Sequence, residues 1–148
     1  MPVSASNETI EPVPVAVTPS VPKTKPVATS TPSLSSSDLR GLASSTAAKY
    51  GLDPVLVQKI IGCESQWKAT NVHPNVRAGT TTPWSYDIGL LQINDYYHEA
   101  EWEAQGLDMK NPKDNLEFGL KMMQQQGTQP WNASKNCWLK GDTSAGYN

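Results

Sequence analysis

Apolar residues recur at helical spacing in several stretches of this chain, and cap and stop residues bound most of them. In "SSSDLRGLASSTAAKYG", Ser37 or Asp38 is placed to cap a helix, Leu39, Leu42 and Ala43 begin its apolar stripe, and Gly51 ends it. "LDPVLVQKIIGCESQW" repeats the grammar, with Asp53 as cap, Pro54 at the first helical position and a helix expected to Ser65 or Trp67. "NPKDNLEFGLKMMQQQG" does so again, from Asn111 and Pro112 to Gly127. Between them, "NDYYHEAEWEAQG" predicts a shorter helix ending near Gly106, and a last short helix is expected over Trp131–Trp138.

The pattern stops between Lys68 and Ser85, where "KATNVHPNVRAGTTTPWS" is dense in turn residues. Thr80–Thr82 is the expected position of a small strand. The fold class read from this string is mainly α, or α+β with at most a very small sheet. One long irregular segment follows the second helix, and long internal loops are often functional.

Composition divides the chain. Residues 1–37 are rich in Pro, Val, Ser and Thr, and no aromatic residue precedes Tyr50. Such a stretch buries too little apolar surface to offset its ordering entropy. It reads as a disordered Pro/Ser/Thr-rich linker, the alternative being a tail with no role; residues 38–148 form the expected single domain. A formal net charge of −2 gives no electrostatic case for nucleic acid or an anionic membrane surface. No apolar run is long enough for a transmembrane helix, and no charged n-region precedes an apolar h-region as in a signal peptide. Two cysteines, Cys63 and Cys137, are too few for a disulfide framework and lack zinc-finger spacing, which leaves one disulfide or two free thiols.

The candidate chemistry lies in two elements. Glu64 stands in "IIGCESQW", sharing a helical face with Ile60, Ile61 and Trp67. A carboxyl on an apolar face is poorly solvated; its charged form is disfavoured and its pKa rises, which suits a general acid. The alternative is a glutamate at the edge of the stripe that reaches water or a backbone amide. The second element is "SYDIGLLQIN", Ser85–Asn94, with Asp87 before Gly89. Glu64 and Asp87 together make the pair of carboxylates that glycoside cleavage uses, one to protonate the leaving oxygen and the other to attack or stabilise the sugar cation.

These elements, in this order, resemble the lysozyme-like superfamily. "ES" at a helix end followed by "GLLQ" resembles the lytic transglycosylase domain of bacterial cell-wall enzymes, as does "NPKDNLEFGLKMM" after it. The longer "DIGLLQIN" is similar to the chicken-type lysozyme signature. The resemblance covers about Leu52–Trp138 and implies a lysozyme-like fold. It implies Glu64 as the catalytic acid and Asp87 as the second carboxylate of the lysozyme branch. Ser65 matches the serine beside the acid; Gln92 and Asn94 match positions lining the sugar cleft. The chain departs from the transglycosylase branch at Trp131–Ser134, where "WNAS" stands for a "YNAG"-like motif. It departs from chicken-type lysozymes in the length of the segment between the carboxylates and in the missing cysteines. The resemblance also implies a Cys63–Cys137 disulfide, tying the catalytic helix to the late segment "WNASKNCW".

Five tryptophans are many for a small domain. Trp84 and Trp131 are the candidates for sugar platforms, while Trp67, Trp102 and Trp138 are expected in the core. One of Tyr96 and Tyr97 is expected to face the cleft. His73 and His98 are isolated, so solvated or capping roles are expected, and "HEAEWEAQ" reads as a solvated helix face. No metal-spaced cluster, phosphate loop or cofactor motif is evident, so neither a metal nor a cofactor is expected.

The resulting expectation is an extracellular or envelope enzyme, a monomer, acting on peptidoglycan glycan strands. It would cleave the β-1,4 bond between N-acetylmuramic acid and N-acetylglucosamine, by hydrolysis or by anhydro-forming transglycosylation. The alternative is a catalytically inactive glycan-binding module on the same fold.

Overall fold

A computed structural model of the chain describes residues 33–140. The linker expected over residues 1–37 therefore lies outside the described residues up to residue 32. Its last two positions, Ser36 and Ser37, are helical.

Helix α1 spans Ser36–Lys49 and starts earlier than the expected caps. Ser35 is the N-cap, because Asp38 serves as the third residue of a capping box. The Ser35 hydroxyl accepts from the Asp38 amide at 3.2 Å, and the Asp38 carboxylate accepts from the Ser35 amide at 3.1 Å. Leu39, Ala43, Thr46 and Ala47 form its buried stripe. Helix α2, Pro54–Ser65, begins at Asp53, whose carboxylate accepts from the Val55 amide at 2.9 Å. It ends on two consecutive left-handed residues, Gln66 (φ 53°) and Trp67 (φ 65°). The chain thus leaves the helix abruptly, just past Glu64. Trp67 is buried there, with the Arg40 guanidinium 4.3 Å above its ring.

The segment after α2 forms a sheet rather than an irregular loop. Strands β1 (Val72–Val76), β2 (Pro83–Ile88) and β3 (Ile93–Asn94) lie antiparallel in that order. Thr80–Thr82, the expected strand, falls in the β1–β2 connection instead. Both the amide and the hydroxyl of Thr80 donate to the Arg77 carbonyl, at 3.0 and 2.9 Å, closing a turn that outweighs the strand preference of threonine. The strands form from less typical residues, "VHPNV" and "PWSYDI", because their register places them opposite each other.

Helix α3 covers Asp95–Ala104 and α4 Pro112–Gln126. The last expected helix is two pieces: a 3-10 segment, Gln129–Ser134, and α5, Lys135–Lys140. Trp131, at φ −103° and ψ 18°, breaks the helical geometry inside the first piece. Among the described residues the architecture is mainly α with one small sheet, as expected. Helix α4 runs through the core, burying Leu116, Phe118, Leu120, Met122 and Met123.

Helix α4 also anchors the "GLLQ" turn. Asn115 is fully buried. Its side-chain oxygen accepts from the Leu91 amide at 2.9 Å, and its nitrogen donates to the carbonyls of Ile88 and Met109 at 2.9 and 3.0 Å. Gly89, at φ +80°, passes so close to Asn115 and the Met109 carbonyl that a Cβ has no room. Asn115→Ala strands these backbone groups. It is expected to cost about 2–3 kcal/mol, seen as a lower denaturation midpoint at unchanged slope. An unmoved midpoint would mean that the turn holds without its anchor.

Candidate active site

Glu64 lies one residue from the end of α2 and is half-buried. It faces an open cleft of about 440 Å3. Asp87, on β2, lines the same cleft. The helix end and the sheet therefore bring together two carboxylates 23 residues apart in sequence.

Burial pushes the Glu64 pKa above the ordinary carboxylate range. The nearby negative charge of Asp87 pushes the same way, and the hydroxyl of Ser134 opposes them. That hydroxyl lies 2.5 Å from Glu64 Oε1. Asp87 is held differently. Its Oδ1 accepts from the Asn94 side-chain nitrogen at 2.7 Å, and the same nitrogen donates to Ser85 Oγ at 3.0 Å. Asp87 and Asn94 are direct partners across the β2–β3 pair, which explains why the amide reaches the carboxylate. The Asn94 side-chain oxygen is buried and has no partner among the described residues.

Gln92 also lines the cleft, with left-handed backbone at φ 50°. Its side-chain nitrogen folds back on the turn, donating to the carbonyls of Gly89 at 2.8 Å and Asn71 at 3.4 Å. Trp131 forms a buried wall of the cleft; its indole N–H donates to the Leu91 carbonyl at 2.9 Å. Of the two adjacent tyrosines, Tyr97 lines the cleft.

Two expected site residues are elsewhere. Ser65 is buried, and its hydroxyl donates to the Ile61 carbonyl at 3.2 Å, one helical turn back. It does not line the cleft, because the residue after Glu64 on a helix points about 100° away from it. Trp84 lies outside the cleft lining. It packs edge-on to Tyr96, with ring centres 5.3 Å apart, and beneath the Arg77 guanidinium at 5.4 Å. Trp84 has no partner on β1, because Asn75 pairs with Ser85 and Val76 with Pro83; the strand is irregular there and turns the ring towards Tyr96 and Arg77.

Other residues enter the cleft without having been expected there. His98 is one, packed 5.9 Å from the Phe118 ring; burial lowers its pKa, with Glu101 opposing. It sits in the first turns of α3, which starts directly after Asn94, so the chain carries it in beside that residue. Met122 and Gln126, likewise spaced by four on α4, supply the opposite wall. Ser134 was visible only as the last letter of "WNAS". Trp67, Trp102 and Trp138 are all buried, and His73 is exposed on β1.

Cys63 and Cys137 are joined in a disulfide, with Cα atoms 6.1 Å apart, linking α2 to α5. Among the described residues no group of three His, Cys, Asp or Glu side chains is placed to hold a metal ion. No helix there is long and apolar enough to cross a membrane.

No curated protein and no solved structure matches the chain. A family model does match, over residues 41–148: the transglycosylase SLT domain. This domain is lysozyme-like and associated with lytic cleavage of peptidoglycan in the cell envelope. The match takes in every helix after the first turns of α1, the sheet and both carboxylates of the cleft, and the chain accordingly belongs to the transglycosylase SLT domain family.

Proposed function

We propose that this domain cleaves the β-1,4 bond between N-acetylmuramic acid and N-acetylglucosamine in peptidoglycan, with Glu64 as general acid and then general base. The observation that carries the reading is Glu64 itself, half-buried, with a raised pKa, in a cleft it shares with Asp87. A neutral Glu64 gives its proton to the glycosidic oxygen as that bond breaks. Asp87, oriented by Asn94, supports the positive charge that develops on the sugar.

The family favours the intramolecular route, in which the muramic 6-hydroxyl attacks the anomeric carbon and Glu64 takes back a proton. The product is then an anhydro sugar, one water lighter than the hydrolysis product. Mass spectrometry of the muropeptides released from purified cell walls tests this directly. Exclusively hydrated ends would overturn the route, and glycan binding without turnover at any pH would overturn catalysis in favour of a binding module. Asp87→Asn is expected to lower turnover about 10- to 100-fold, less than loss of Glu64, because it stabilises charge without transferring the proton. An equal loss at both positions would assign Asp87 the role of nucleophile in a hydrolase instead.

An envelope or extracellular setting belongs to this reading. The substrate lies there, and the Cys63–Cys137 bond suits an oxidising compartment.

A further inference from the structure

We propose that Ser134 is a positioning residue for Glu64: its hydroxyl reserves one carboxyl oxygen and redirects its single proton as Glu64 loses and regains its own. The inference rests on the reading of Glu64 as acid and base given above.

Ser134 Oγ lies 2.5 Å from Glu64 Oε1 and 3.1 Å from the Trp131 carbonyl. A hydroxyl carries one proton, so it donates to only one of these acceptors at a time. With Glu64 neutral and its proton on Oε2, Oε1 is a weak acceptor and the carbonyl competes for the Ser134 proton. Once Glu64 is ionised, Oε1 takes that proton in a charge-assisted bond, roughly twice as strong as a neutral one. The Trp131 carbonyl is not left bare by the rotation, because Trp138 Nε1 also donates to it, at 3.1 Å. One buried group can therefore be released without an unsatisfied partner. The indole N–H of Trp131 is committed to Leu91, so the hydroxyl beside Glu64 comes from Ser134.

Oε1 thus faces Ser134 in both states and takes its proton in the ionised one, which leaves Oε2 as the oxygen through which the transferred proton passes. In the first step Oε2 gives its proton to the glycosidic oxygen as the bond from that oxygen to the anomeric carbon breaks. In the second, the 6-hydroxyl oxygen bonds to the anomeric carbon and its proton goes to Oε2. The Ser134 proton never leaves Ser134. The other titratable groups facing this cleft are Asp87 from β2 and Tyr97 and His98 from α3. The remaining elements packed on α2, namely α1, α5 and the 3-10 segment, place no ionisable side chain in it.

The test uses the full chain with 13C-labelled glutamate. The Glu64 carboxyl is titrated by NMR, and wall cleavage is followed against pH, for wild type, Ser134→Ala and Ser134→Thr. In Ser134→Ala the Glu64 titration is expected to move upward, the alkaline limb of the activity profile to move with it, and turnover at the wild-type optimum to fall about tenfold. Ser134→Thr, which keeps the hydroxyl, is expected to restore all three. A Ser134→Ala protein that matches wild type in titration and turnover, while Glu64→Gln is inactive, overturns the role of Ser134 alone. A Glu64→Gln protein as active as wild type overturns the reading of Glu64 and this inference with it.

Discussion

Glu64→Gln is expected to lower peptidoglycan cleavage by about 10³- to 10⁴-fold, the upper part of the range for loss of a general acid. The amide keeps the shape of the side chain and can still accept from Ser134. What it lacks is a proton that can be given to a poor leaving group. Glycan binding should persist, so the loss belongs to turnover and not to affinity. The pH dependence of the wild type follows from the same group. Glu64 acts as an acid only while protonated, and its folded pKa is raised by burial and by Asp87. Activity therefore falls as pH rises through that elevated value, at a higher pH than an exposed glutamate would allow. Stability runs in the same direction with pH. A raised carboxyl pKa means that the folded protein binds the proton more tightly than the unfolded chain does. That contribution is fully present below the unfolded value and is lost as pH rises through the folded value. Above it, wild type holds an ionised, half-buried carboxylate, whereas Glu64→Gln does not. The variant should melt no lower than wild type near neutral pH, with the difference in its favour growing from acid to neutral conditions. A large fall in its melting temperature would show that Glu64 is structural, contrary to the proposal.

Removing the Cys63–Cys137 bond has the second large effect. The two residues are 74 apart in sequence, so the bridge closes a loop over most of the domain. The chain-entropy treatment gives about 4–5 kcal/mol for such a loop, an upper figure. That is comparable to the whole net stability of a small domain. A Cys63→Ala/Cys137→Ala double variant should therefore melt on the order of 10–20 °C lower, or fail to fold when warmed. The consequence reaches the site. Cys63 precedes Glu64, and Cys137 lies three residues after Ser134. The bridge thus clamps the two backbones whose side chains meet in the Glu64–Ser134 hydrogen bond. Activity of the double variant should fall severalfold even well below its melting temperature. Two thiols titrating in the unfolded, unreduced wild-type protein would show that the bond does not form in solution. Unchanged activity in a destabilised double variant would confine the bridge to stability.

The helices were legible in the chain itself. Asp53–Pro54 and Asn111–Pro112 start α2 and α4, because a capping side chain satisfies amides only two or three residues away. The apolar faces of both helices follow from period alone, as does the placement of Glu64 beside Ile60 and Ile61. The strings "ES" and "DIGLLQIN", in that order, pair Glu64 with Asp87 in the sequence alone. These signals are local, or are strings long enough to be specific.

Packing decided the rest. "VHPNV" becomes a strand only because "PWSYDI" returns to pair with it, and that register depends on a turn at Arg77–Thr80. The 3-10 segment before α5 displaced an expected helix start, and it brings Ser134 to Glu64 across 70 residues of chain. Ser65, expected in the cleft from the resemblance, and Trp84, expected there as a sugar platform, lie elsewhere: the helix turns Ser65 inward, and Trp84 sits at an irregular point of β2. His98, Met122 and Gln126 entered it from α3 and α4. The sequence by itself determined where the capped helices form and which two carboxylates are the candidates for the chemistry, since caps, periodicity and motifs act over a few residues. Only the tertiary structure decided which side chains meet in the cleft, because hydrogen bonds and burial between distant residues exist only once the helices and the sheet have packed.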